Sequence, residues 1–146
     1  MTTIIIMEDD FELGDQWHDA LTREGYTVRV ARNATDAMAI IERFDVDLAI
    51  VDLIVAPPLH TGKEGGLSLL RQIRFSDNRE IRKMKVIGVS GFKPPSDTSI
   101  AESLFKNYNV QSFIEKPVLP HELVEVVIDI LAEKKPTIRA TTCKTL

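Results

Sequence analysis

Asp47-Leu48-Ala49-Ile50-Val51-Asp52-Leu53 is the stretch that decides the fold. The apolar run Leu48 to Val51 contains two β-branched residues and neither Gly nor Pro, which reads as a strand buried on both faces. A helical segment could show the same run, but this one is short and turn-forming residues soon follow it. In an open parallel sheet, ligands occupy the crevice beyond the carboxyl ends of the strands. Asp52 ends its strand and therefore stands where such a fold does chemistry. Taken alone, a strand-end aspartate serves equally well to start a turn. The other strand ends decide between the two readings.

Toward the N-terminus, Ile4-Ile5-Ile6-Met7 is a first buried run, followed at once by Glu8-Asp9-Asp10. Residues 13, 17, 20 and 21 repeat at helical spacing across Phe11 to Glu24, with Asp10 placed to cap that helix and Gly25 to stop it. Tyr26 to Val30 alternates as a half-exposed strand nearer the sheet edge. Asn33 with Asp36 resembles a capping pair, and Ala37, Ile40, Ile41 and Phe44 form the stripe of a second helix.

Toward the C-terminus, Ala56 to Gly66 is a loop by composition, and Leu67, Leu70, Ile73 and Arg74 belong to a third helix, with the polar stretch Ser76 to Lys83 leading out of it. Val86-Ile87-Gly88-Val89 is a fourth buried strand that ends at Ser90-Gly91. A fourth helix is expected over Ile100 to Asn107 and a brief fifth strand over Ser112-Phe113-Ile114, running into Glu115-Lys116-Pro117. Pro120 suits the first position of a last helix whose stripe is Leu123, Val124, Val127, Ile130 and Leu131. Val126 and Ile128 widen that stripe beyond what one sheet face covers, which fits a partner or self-association surface and fits a partly packed helix equally well. Five strands alternating with five helices imply an α/β fold, a doubly wound parallel sheet with helices on both faces. The expected domain is 1–133, with 134–146 a flexible tail that lacks periodicity.

Composition narrows the function classes. Eighteen basic against 22 acidic residues give a net charge of −4, and the basic residues are scattered, which argues against a nucleic-acid surface. No apolar stretch approaches a membrane span, and the start lacks a basic signal region. Cys143 is the single cysteine, so neither a disulfide framework nor a thiolate cluster is available. A cytoplasmic location is expected.

Collected at one sheet edge, the strand ends supply Glu8, Asp9, Asp10, Asp52, Ser90 and Lys116. Converging carboxylates without cysteine or clustered histidine make a hard, all-oxygen site of the kind Mg²⁺ prefers. A hydroxyl and an ammonium on adjoining strands suit a phosphoryl group. The nucleophile left over is Asp52, whose carboxylate can take a phosphoryl group covalently.

These motifs, in this order, resemble the receiver domain of two-component response regulators: Glu8-Asp9 after strand one, Asp52 in Ile-Val-Asp-Leu, Ser90-Gly91 after Val-Ile-Gly-Val, and Lys116-Pro117 after Ser-Phe-Ile-Glu. The resemblance covers about residues 1–133 and implies strand order 2-1-3-4-5. It implies that Asp52 is the phosphoacceptor, taking its phosphoryl group from a histidine kinase, a histidine phosphotransfer protein or a small phosphodonor. Asp9 and Asp52 would ligate Mg²⁺ (or Mn²⁺) directly, Glu8 through water, and the Ile54 backbone carbonyl would add an oxygen. Ser90, Lys116 and the Gly91 backbone would bind the phosphoryl group. Ser90 and Phe113 would form the switch pair, the aromatic ring following the serine, and the Lys116–Pro117 peptide would be cis. The output would be a binding surface of strand four, helix four, strand five and helix five, offered to a downstream protein or to a second copy in a homodimer.

Three departures from the family pattern stand out. The loop around residues 55–65 is about six residues longer than usual, a tolerated insertion or a lid, since lengthening a loop costs little entropy. Ile54 and Phe92 occupy the positions that tune phosphoryl lifetime, and two large apolar side chains there predict slow self-dephosphorylation. The segment from Ser90 to Phe113 is also a few residues long. His18, His60 and His121 read as solvated side chains. No output domain is expected after the last helix, which suggests a stand-alone receiver, with a fragment of a larger regulator or hybrid kinase as the alternative. The rival from the enzyme class is a Mg²⁺-dependent phosphohydrolase with an aspartyl-phosphate intermediate. Ile54 stands where such an enzyme needs a second acid, so a phosphoacceptor that is not a turnover enzyme is the preferred reading.

Overall fold

The structure, a computed structural model, describes residues 1–53, 65–90 and 106–132 and the backbone of 137–138. The strands β1 (Thr3–Met7), β2 (Thr27–Ala31), β3 (Leu48–Asp52), β4 (Lys85–Ser90) and β5 (Ser112–Glu115) lie parallel in the order β2-β1-β3-β4-β5. Among the described residues the helices are α1 (Phe11–Arg23), α2 (Ala34–Arg43), α3 (Gly66–Arg74), the single turn α4 (Arg79–Arg82) and α5 (Pro120–Leu131), and the helix expected over 100–107 lies mostly outside the described residues. The expected order and the two-sided helical cover are both present.

The strands β1, β3, β4 and β5 bury opposite faces in different cores, which is why apolar runs rather than alternation mark them, whereas the outer strand β2 is only partly buried. Ile5, Ala49, Val51, Val86 and Phe113 pack under α2 and α3 with Ile41, Leu69, Leu70 and Ile73. Ile4, Ile6, Leu48, Ile50 and Ile87 pack under α1 and α5 with Trp17, Leu21, Leu123 and Val127. The two flank residues of α5 part company: Val126 is buried and Ile128 is 44% exposed. The Trp17 indole N–H donates to the Val118 carbonyl at 3.4 Å and ties α1 to the entry of α5.

The caps follow the sequence signals. Asp10 Oδ1 accepts from Leu13 N at 3.1 Å, and Asn33 Oδ1 accepts from Asp36 N at 2.8 Å. Gly25 takes φ 97° where α1 stops, a conformation that suits glycine. Leu119 has no side-chain acceptor, but Glu122 Oε1 accepts from its backbone N–H at 3.0 Å.

Two elements differ from the expectation. The polar stretch 76–83 contains α4, because Asn78 Oδ1 accepts from Glu80 N and Ile81 N and starts a helical turn there. The tail, expected to be loose, contributes a two-residue strand, β6 (Thr137–Ile138), paired parallel with Ser112 and Phe113 of β5. Without it β5 would present an open row of backbone donors and acceptors, and a parallel neighbour satisfies them without any periodic pattern in the tail.

Arg74 anchors the approach to β5. Its Nε donates to Tyr108 O (2.6 Å), its Nη1 to Met84 O (2.6 Å) and Arg82 O (3.0 Å), and its Nη2 to Asn109 O (2.9 Å). Burial lowers its pKa to about 10, so it stays charged at neutral pH. The fork holds Asn109 at φ 51° one turn before the strand that carries Lys116. Arg74→Met leaves these carbonyls without their donor, and the expected loss is about 3 kcal/mol in a urea titration. Arg74→Lys should recover less than half of it, because an ammonium cannot span the fork.

Candidate functional site

The parallel register brings four strand ends to one edge. After β1, Glu8 N donates to Ala31 O at 3.0 Å, which fixes the turn that presents Glu8 and Asp9. Asp52 closes β3, Leu53 N donates to Val89 O at 2.7 Å, and Lys116 N donates to Ser90 O at 2.8 Å. Glu8, Asp52 and Ser90 are almost fully buried, while Asp9 is exposed. Sheet pairing therefore continues past the strands and holds the site residues by their backbones.

Lys116 joins two of the acids. Its Nζ donates to Asp52 Oδ2 at 3.1 Å and lies 3.1 Å from Glu8 Oε1. The second contact is an ion pair without good hydrogen-bond geometry, so buried Glu8 Oε1 has no well-formed hydrogen bond. The other oxygen, Oε2, accepts from Asp10 N at 3.1 Å. Burial pushes the Glu8 carboxyl up to about 7, Asp52 adds to the rise, and the Asp10 N–H and Lys116 oppose it. Burial also raises Asp52, with Lys116 pulling the other way. Burial alone would lower Lys116, and the Asp52 and Glu8 carboxylates more than reverse that.

Carboxylate oxygens of Glu8, Asp9 and Asp52 all lie within 4.8 Å of one another. One ammonium cannot neutralise three such acids, and the poorly satisfied Glu8 oxygen is an open acceptor. A hard divalent cation fits this donor set by charge and by ligand type. Gly66, the first residue of α3, packs against the backbone at the end of β3. A Cβ there would overlap the Asp52 carbonyl oxygen, lie 2.8 Å from the carbonyl carbon and 3.0 Å from Val51 Cγ1.

Among the residues singled out from the sequence, Glu8, Asp9, Asp52 and Lys116 come together, and Ser90 ends the neighbouring strand. Phe113 is 3% exposed, inside the core under α2 and α3. The Lys116–Pro117 peptide is cis. Ile54, Gly91, Phe92, His60 and most of the 55–65 loop lie outside the described residues. His18 on α1 is half-buried and lies 3.2 Å from Asp19, and His121 is exposed at the start of α5.

Sequence reasoning assigned no role to Gly66, Gly88 or Arg32. The glycines did carry a signal, since an isolated glycine in a strand or beside a site marks close approach. Arg32 carried none: its Nη2 donates to Asp9 O at 3.1 Å and its guanidinium lies 3.3 Å from the Phe11 ring centroid, a pairing visible only in three dimensions.

A doubly wound parallel sheet with clustered carboxylates and a lysine at its carboxyl edge is the arrangement that the resemblance to a receiver domain implied. The family model "Response regulator receiver domain" matches residues 4–128, and the chain belongs to that family. Similar solved structures include a receiver domain protein from Methanospirillum hungatei JF-1, 28% identical, TM-score 0.71, covering 91% of this chain and 95% of that one. Another is NtrX from Brucella abortus, 25% identical with TM-score 0.74, where 91% of this chain matches 28% of that one. Among curated proteins, a probable transcriptional regulator, ycf29, of Pyropia yezoensis is 24% identical over 131 residues, 88% of this chain and 53% of the relative. The regulatory protein VanR of Enterococcus faecium is 26% identical over 121 residues, 83% of this chain and 46% of the relative. The chain thus spans about half the length of the curated relatives it matches. Among the described residues, no helix is long and apolar enough to cross a membrane.

Proposed function

We propose that Asp52 is the phosphoacceptor of this receiver and that a histidine kinase or histidine phosphotransfer protein is its donor. The observation that carries this is the convergence of a buried strand-end carboxylate with two further acids and a lysine ammonium. Asp52 offers a carboxylate oxygen to phosphorus; an O–P bond forms as the P–N bond of phosphohistidine breaks, and the leaving imidazole recovers a proton. Lys116, now paired with Asp52 Oδ2, is placed to follow the negative charge onto a phosphoryl oxygen. Ser90 ends the adjoining strand and supplies a hydroxyl at the same edge of the sheet.

Glu8, Asp9 and Asp52 are the residues that would hold Mg²⁺ or Mn²⁺. When bound, the cation supplies the positive charge that lets an anionic donor approach the acids. Phosphorylation places about two negative charges beside Ser90 and biases two pre-existing arrangements of β4, β5 and α5. That surface is the proposed output, and exposed Ile128 on α5 is its apolar contribution to a protein partner or a second copy.

Acetyl phosphate with Mg²⁺ should add the mass of one phosphoryl group to the wild-type protein and none to Asp52→Asn. An unmodified wild-type protein, or an equally modified variant, would refute the assignment.

A further inference from the structure

Gly88 lies in the middle of β4, a strand buried on both faces, where a glycine weakens the strand and needs a reason. Its neighbours supply one. A Cβ built on Gly88 would come within 2.8 Å of Phe113 Cε1, 3.0 Å of Phe113 Cδ1 and 2.8 Å of Leu53 Cδ1. Phe113 is the registered partner of Gly88 on β5, and Leu53 immediately follows Asp52 on the other side of β4. The ring therefore reaches in from β5 and the leucine from the end of β3, and both occupy the space over the glycine. Both side chains are buried in the core under α2 and α3.

We propose that Gly88 is a positioning residue for the switch: its missing side chain opens a seat shared by Leu53 and Phe113, which holds the ring inward before any phosphoryl group arrives. This rests on the reading of Ser90 and Phe113 as the switch pair and changes what that reading requires. Ser90 lies two residues beyond Gly88 on the same strand, so its side chain faces the same side as the seat. The ring needs no inward swing on phosphorylation, because it already fills the space beside β4. Contact between the phosphoacceptor strand and the aromatic runs through Leu53 across the gap at Gly88. The size of that gap sets the fraction of molecules with the ring inward, and a ligand that favours the inward state binds in proportion to that fraction.

Gly88→Ala fills the seat. The overlapping atoms are the end of a leucine and the edge of a ring, so the collision can be relieved by moving the ring outward rather than by unfolding the sheet. Trimming the other occupant, in Gly88→Ala/Leu53→Val, should let the ring return.

The test is ¹⁹F NMR of protein carrying 4-fluorophenylalanine, with the Phe113 signal assigned by its loss in Phe113→Leu. A soluble paramagnetic agent reads ring exposure with and without Mg²⁺ and beryllofluoride, a phosphoryl mimic. The wild-type ring should be shielded from the agent in both conditions. In Gly88→Ala it should be exposed without the mimic, with mimic affinity about tenfold weaker, and both changes should reverse in the double variant. A wild-type ring that is exposed before the mimic is added would overturn the proposal, as would a Gly88→Ala ring that stays shielded or a double variant that fails to rescue. If the mimic binds neither protein, the phosphoacceptor reading falls. The exposures measured without it still decide whether Gly88 makes the seat.

Discussion

Gly66→Ala is expected to lower stability by about 3 kcal/mol and to weaken Mg²⁺ binding about tenfold. The added methyl would overlap the backbone carbonyl of Asp52, which no side-chain rotation can relieve. Either α3 backs away, loosening Leu69, Leu70 and Ile73 in the core, or the end of β3 moves and carries Asp52 out of place. Both routes cost energy, and the second also disturbs the site. Gly65→Ala is the control. Gly65 precedes the helix at φ −83°, a conformation open to any residue, so its loss should be about 1 kcal/mol at most. Urea unfolding and calorimetric Mg²⁺ titration check both values, and matching midpoints for the two variants would contradict the close packing of α3 on Asp52.

The metal-free protein should become less stable as pH rises from about 4.5 to about 7. Glu8 has a folded pKa near 7 against an ordinary 4.5, so between these values the folded state holds a proton that the unfolded chain has released. Stability therefore falls with rising pH through this window and levels off above it. The full effect is at most about 3 kcal/mol. Asp52 is also raised and acts with the same sign. The raised pKa of Lys116 matters only above its ordinary 10.5, outside the window. Glu8→Gln removes the titrating group, so the difference between wild type and variant isolates its share from the other carboxylates. Mg²⁺ competes with the proton, and its stabilising effect should grow as pH rises toward 7. A wild-type midpoint that tracks Glu8→Gln across this range would show that Glu8 titrates normally.

Both predictions concern a site that costs the fold something. Three acids crowd one edge, two of them buried, in a cluster able to coordinate a divalent metal. The same crowding made the site legible in the sequence. Glu8, Asp9, Asp52, Ser90 and Lys116 all stand within two residues of the end of a short apolar run, and in a parallel sheet such positions meet at one edge. The order of the five strands was equally legible once the motifs were assembled.

What escaped was short or depended on distant neighbours. β6 has two residues and no periodicity, and only the open edge of β5 explains it. The turn α4 rests on Asn78 within a stretch that reads as polar loop. Val126 and Ile128 are two residues apart and look alike in sequence; the helix axis turns one into the core and leaves the other in solvent. Gly66 and Gly88 were visible as glycines, but what each makes room for is a carbonyl and a ring contributed from elsewhere in the chain.

The central claim is that one carboxylate oxygen, on Asp52, receives phosphorus. Borohydride reduces an acyl phosphate to the alcohol, so after acetyl phosphate and Mg²⁺ treatment it should convert residue 52 to homoserine, detectable in the peptide spanning β3. Conversion is expected at Asp52, dependent on the divalent cation and absent from every other acid. Conversion at Glu8 or Asp9, or phosphate recovered on a histidine with Asp52 intact, would contradict it.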